Sequence, residues 1–107
     1  MNAIERKVIT YFINRAKMYE WELHGVGTAD GEYFTSVTAL NQVLTEARQF
    51  DDVVIHFRQH AQHIPFTCKG WVRFIFANGN EGRDVLSDAS GSLGDIADQA
   101  CEYADTL

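Results

Sequence analysis

Alternation of apolar and polar residues is sharpest over Trp71–Ala77. Val72, Phe74 and Phe76 fall on one side of the pleat, and Trp71, Arg73, Ile75 and Ala77 on the other, the two-residue period of a strand with one face on a core. Asn78, Gly79 and Gly82 tolerate the positive φ that a chain reversal needs. Arg83-Asp-Val-Leu-Ser-Asp88 follows as the returning strand of a hairpin. The rest of the sheet is expected to build outward from this pair.

Upstream the period changes. Between Asn2 and Glu20, the residues Ile4, Val8, Tyr11, Phe12 and Tyr19 recur at three- and four-residue steps, opposite Arg6, Lys7, Thr10, Asn14 and Lys17, which predicts an amphipathic helix. Trp21–Gly27 and Tyr33–Thr35, joined by the turn-forming Ala29–Glu32, predict a short hairpin in which Gly25 and Gly27 mark a bulge or an edge. A second helix is expected from Val37 to about Phe50, capped by Thr35 or Ser36, with Val37, Leu40, Val43, Leu44 and Ala47 as its apolar stripe. Asp51 and Asp52 end it. Val53–Arg58 then reads as a strand with Val53, Ile55 and Phe57 inward and His56 and Arg58 outward. Gln59–Lys69, polar and holding the single proline, Pro65, reads as a connection. A last helix is expected from Leu93 to Tyr103 or beyond, capped by Ser90 or Ser92. The order α-β-β-α-β-β-β-α predicts a single α+β domain over residues 1–107, with a mainly antiparallel sheet of about five strands and three helices.

A chain of 107 residues suffices for one core, burying about 60–70% of its unfolded surface. No apolar run approaches the ~18 residues of a membrane span, and the charged start, Met1-Asn-Ala-Ile-Glu-Arg-Lys7, lacks the apolar centre of a secretory signal. A cytoplasmic location without membrane contact is expected, with Cys68 and Cys101 as reduced thiols.

Charge is uneven. The first eighty residues hold eight acids and eight bases, so the net charge of -6 arises from Glu81 onward, where seven acids meet Arg83 alone. This argues against direct nucleic-acid binding, which needs a basic footprint. On the last helix Asp95, Asp98, Glu102 and Asp105 share one sector, opposite Leu93, Ile96, Ala97, Ala100, Tyr103 and Ala104. Part of that polarity is the solvated back that a core-facing helix requires. The single sign goes further, because Glu102 and Asp105 oppose the macrodipole near the helix C-terminus, and the four carboxylates form the candidate partner-binding surface, suited to a basic protein.

Candidate chemistry is sparse. His56, His60 and His63, followed by Cys68, are the one group of metal-ligand types. Helical spacing would align the three imidazoles, but a strand and a loop do not, and no acid lies between Val53 and Trp71 to orient them. A polar solvent-facing loop is the simpler reading, and no metal or cofactor is assigned. Gly25 and Gly27 lack the lysine and the strand-loop-helix context of a phosphate loop. No serine, threonine or cysteine sits in a nucleophile motif. Asp84 and Asp88 suit a solvated sheet edge better than an acid/base pair. The sequence therefore supports no catalytic assignment.

Gly70-Trp-Val-Arg-Phe-Ile-Phe-Ala-Asn-Gly79, Arg83-Asp-Val-Leu-Ser-Asp-Ala-Ser90 and Ser92-Leu93 resemble the corresponding part of small hypothetical proteins of phages, prophages and integron gene cassettes. In those proteins a strand ending in Asn-Gly or Gly-Asn precedes an Asp-Val-Ile-Ser-Asp-like strand and a helix. The likeness covers about a third of the chain, with Asn80 and Glu81 as two additional turn residues. It implies an origin in the mobile gene pool and carries no catalytic residues. Three expectations follow for function: a non-enzymatic, self-associating module, as a homodimer or other homo-oligomer; an acidic inhibitor mimicking nucleic acid at a host defence enzyme; or a small-ligand or metal binder using His56, His60 and His63.

Overall fold

A computed structural model describes residues 1–60 and 67–107; of His60 and Thr67 the backbone alone is described. The elements run α1 (Ala3–Met18), β1 (Glu22–Gly27), β2 (Phe34–Ser36), α2 (Leu40–Ala47), β3 (Asp52–His60), β4 (Thr67–Ile75), β5 (Leu86–Ala89) and α3 (Gly94–Asp105). The five strands form one antiparallel sheet in the order β2-β1-β3-β4-β5. The expected α+β class, element order and sheet therefore hold.

The centre of the sheet is the nine-residue pairing of β3 with β4, which sets Val53 opposite Phe74, Ile55 opposite Val72 and Phe57 opposite Gly70. Leu23 and Val26 of β1 continue this layer, and all three helices bury residues in the same hydrophobic cluster. Phe12 of α1 meets Phe74 edge-on at 5.9 Å and Phe57 at 5.8 Å; aromatic contacts of this kind add about 0.5–1.5 kcal/mol to area burial. Val72, Phe74 and Phe76 are buried as the alternation requires. No described element covers the other sheet face, and among the described residues no helix is long and apolar enough to cross a membrane.

Several local expectations are corrected. The buried stripe of α1 is Val8, Ile9, Phe12, Ile13 and Ala16, together with Glu5, so it is rotated from the predicted face and leaves Tyr19 exposed. Tyr11 is displaced because it stacks on Tyr103 of α3, with centroids 4.3 Å apart and planes 8° from parallel. Arg15 reinforces that contact by donating to Oε1 of Gln99. Helix α2 begins at Leu40 rather than Val37, without a serine or threonine cap. Instead Oε1 of Gln42 accepts from the Thr38 and Ala39 N–H groups. Neither Ser90 nor Ser92 caps α3: Oγ of Ser90 accepts from the Trp71 N–H at 3.0 Å, tying the chain after β5 to β4. The predicted connection was too long at both ends, since β3 reaches His60 and β4 starts at Thr67.

The turn after β4 is also wider than a tight hairpin. Ala77, Gly79, Asn80, Glu81 and Gly82 all have positive φ, and β5 starts only at Leu86. Glu5 holds this segment. One carboxylate oxygen accepts from the Asn2 N–H at 2.7 Å and the other from the Ala77 N–H at 2.7 Å, while Asn2 Oδ1 caps the helix through the Glu5 N–H. At Gly82 (φ 97°) a Cβ would stand 2.7 Å from Glu5 Cγ, so glycine is needed for both conformation and space. Arg83 crosses to the Leu107 backbone oxygen.

Replacing Glu5 strands two backbone donors in a site where Glu5 is 2% exposed. Glu5→Ala should lower unfolding free energy by about 2–4 kcal/mol in urea titrations, against less than about 0.5 kcal/mol for Glu102→Ala on the exposed face of α3. Equal effects would show that the carboxylate does not hold the turn.

Candidate functional site

Because side chains alternate, the ladder that builds the core also fixes the opposite face. Register pairs Val54 with Arg73, His56 with Trp71 and Arg58 with Lys69; Gly25 faces His56 and Gly27 faces Phe34. Val54 is 8% exposed yet lies outside the helix-side core. It is the floor of a second apolar patch.

Phe34 is the patch's most exposed ring, at 47%. Its edge strand is three residues long, and neither its register partner Gly27 nor the next open-face position, Gly25, carries a side chain, so the ring folds over β1 onto Gly25. A Cβ on Gly25 would lie 2.2 Å from Phe34 Cζ. The irregular register between Leu23 and Gly25 is the bulge anticipated from the glycines. The imidazoles of His24 and His56 both lie against Phe34, at 5.7 and 5.4 Å between centroids.

Beside them is an open cavity of about 450 Å³ whose walls include Tyr33, Phe34, Val54, His56, Trp71 and Arg73. The loop from Thr28 to Tyr33 closes one side, stiffened where Asp30 accepts from the Thr28 hydroxyl at 2.5 Å and the Glu32 N–H at 3.0 Å. These bonds hold the Asp30 carboxyl below its ordinary pKa. Tyr33 anchors the loop to α2 by donating its hydroxyl to Glu46 at 2.9 Å.

The charged residues on this face are balanced. Glu22, Asp52 and Asp88 share it with Arg58, Lys69 and Arg73. Arg73 donates through Nε and Nη2 to Asp52 at 2.9 and 2.5 Å, a bidentate pair that raises the Arg73 pKa and is assisted by Asp88. Arg58 lies 3.5 Å from Glu22.

Burial, and secondarily the charge of His24, pushes the His56 pKa below 6.5, so His56 is neutral at pH 7. The unfolded chain then takes up that proton at a higher pH than the folded one. The stability contributed by neutral His56 is present above pH 6.5 and is lost as pH falls through the lower folded-state value.

The residues predicted from sequence are distributed differently. Asp95, Asp98, Glu102 and Asp105 are all exposed on α3, and among the described residues none of their carboxylates enters an ion pair or side-chain hydrogen bond. Cys101 lies among them; burial first, then Asp98, Asp105 and Asp84, raises its thiol pKa, which suppresses the nucleophilic thiolate. Asp84 precedes β5, whereas Asp88 is in it facing Arg73, so the two do not form a carboxylate pair. His56 lies in a strand as expected, the backbone of His60 belongs to β3 rather than to a loop, and His63 lies outside the described residues. Among the described residues no three His, Cys, Asp or Glu side chains are grouped to hold a metal ion.

Sequence reasoning missed Phe34, Val54 and His24. A signal existed: Val53-Val-Ile55 is apolar at three consecutive positions, which supplies both faces of a strand, and Trp71 alternates with the core set. Comparison of the chain with protein-family models, curated proteins and solved structures gives no match.

Gly25→Ala places a methyl group where the Phe34 ring rests and 2.9 Å from the Thr35 carbonyl. It should swing Phe34 off the sheet and cost about 1–3 kcal/mol of stability. The check is denaturant unfolding, combined with loss of NMR cross-peaks between Phe34 and the His24 and His56 rings. Retained cross-peaks at unchanged stability would contradict the seating of Phe34.

Proposed function

We propose that the chain is a non-enzymatic binding module that self-associates through the open face of its sheet. The observation carrying this reading is the half-exposed Phe34 set among His24, Val54, His56 and Trp71 on a face of balanced charge. The net charge of -6 otherwise repels a second copy. Here three acids and three bases let like surfaces meet, as a two-fold contact requires.

The strands of six, three, nine, nine and four residues, at ~3.3 Å per residue and ~4.8 Å spacing, give a projected face on the order of 500 Å², which places the contact at the small end of the interface range, below the ~800 Å² per partner of a standard one. Phe34 and Trp71 would supply the desolvated anchor, with the Arg58–Glu22 and Arg73–Asp52 pairs at the rim. A cytoplasmic location suits the free thiols of Cys68 and Cys101. An origin in the mobile gene pool is supported by the hairpin resemblance alone.

Phe34→Asp should convert the protein from dimer to monomer in light scattering and sedimentation at micromolar concentration, weakening association by about 2 kcal/mol or more, roughly thirtyfold. A wild-type monomer, or a Phe34→Asp dimer of unchanged affinity, would end this reading.

The exposed carboxylate stripe of α3 favours a second reading, an acidic surface mimicking nucleic acid at a basic host protein. Paired Asp98→Asn and Glu102→Gln substitutions should weaken capture of such a partner and flatten its salt dependence, while leaving self-association intact. Capture that is indifferent to both charge and salt would remove it.

A further inference from the structure

We infer that the open face is a proton-sensitive interface, in which His24 and His56, both against Phe34, release the second copy when they take up protons. The inference rests on the self-association reading and adds the control acting on it.

Placement is the main argument. Phe34 is the one ring of the patch that stands nearly half exposed, and both imidazoles touch it, at 5.7 and 5.4 Å between centroids. A second copy covering Phe34 therefore covers the space beside both imidazoles. Imidazole is the side chain whose charge changes between about pH 5 and 8. Neutral, it can be buried with its polar atoms hydrogen-bonded; charged, it must be paired or the contact is lost.

Of the carboxylates around this face, all but the exposed Glu32 are already engaged. Toward this face β1 contributes Glu22 and β3 contributes Asp52 and Arg58. Lys69 and Arg73 come from β4 and Asp88 from β5. Asp30, Glu32 and Tyr33 belong to the β1–β2 loop. Glu22 lies against Arg58 and Asp52 is held by Arg73, Asp88 faces Arg73 across the sheet, and Tyr33 is bound to Glu46. The charge that bears on His56 is that of His24.

A proton on each imidazole adds two positive charges to the face of each copy. In a two-fold contact each such patch meets its own image, so four like charges are brought to the centre of the interface. The neutral state, by contrast, presents rings and an aliphatic floor.

The test compares the dimer dissociation constant at about pH 8 and pH 5 by sedimentation, with near-ultraviolet circular dichroism at each pH to follow the fold. For the wild type the expected result is at least about tenfold weaker association at the lower pH, with the native spectrum retained, since each linked proton can change the constant tenfold per pH unit. A His24→Gln/His56→Gln double variant, with His60 and His63 unchanged, should associate equally at both pH values. The single variant His56→Gln should lose part of the dependence if the double variant fails to fold.

A wild-type dimer of equal affinity at both pH values overturns this inference and leaves self-association standing. A monomer at both overturns both. A pH dependence that survives in the glutamine variants, or dissociation that merely accompanies loss of the native spectrum at pH 5, also overturns it.

Discussion

The pairing of β3 with β4 is the constraint on which the other features depend. It joins nine residues of each strand without a slip, and a strand's side chains alternate, so a single register assigns eighteen positions to one face or the other. Val53, Ile55, Phe57, Val72 and Phe74 go to the helices; Val54, His56, Arg58, Trp71 and Arg73 go to the opposite side. A one-residue slip would put His56 and Arg73 into the core and Phe57 and Phe74 into water. The hydrophobic free energy that holds the helices on the sheet thereby also holds the open face in place.

The flanking strands adapt to that centre. A bulge lets β1 follow β3 while its glycines leave room for Phe34. At the other end, Glu5 and Asn2 fasten the wide turn after β4 to the start of α1, which fixes where β5 returns. Helix α3 then packs against α1 through Tyr11 and Tyr103 and turns its carboxylates outward. The open sheet face and the acidic stripe are thus products of one packing arrangement on opposite sides of the molecule.

The two surfaces differ in what they can do. The stripe on α3 is highly charged and of one sign, which favours a basic partner and disfavours a second copy. The open sheet face is apolar at its centre and balanced in charge around it. Two histidines, His24 and His56, lie beside Phe34 on that face, whereas the stripe carries none.

The sequence by itself determined the number and order of elements, the inward set of the central strands, and the outward direction of Asp95, Asp98, Glu102 and Asp105. These follow from periodicity, because an amphipathic segment has one way to bury its apolar side. Tertiary structure decided what periodicity leaves free. Tyr19 looked like core and is exposed, and Tyr11 reaches only the edge of the core, since the helix rotates to fit the sheet and Tyr103. Glu5 looked like surface and is buried, since its bonding partner is seventy-two residues away. The open face became visible only when Phe34, His24, Val54, His56 and Trp71 were brought together from four strands, because no local pattern records which strands are neighbours.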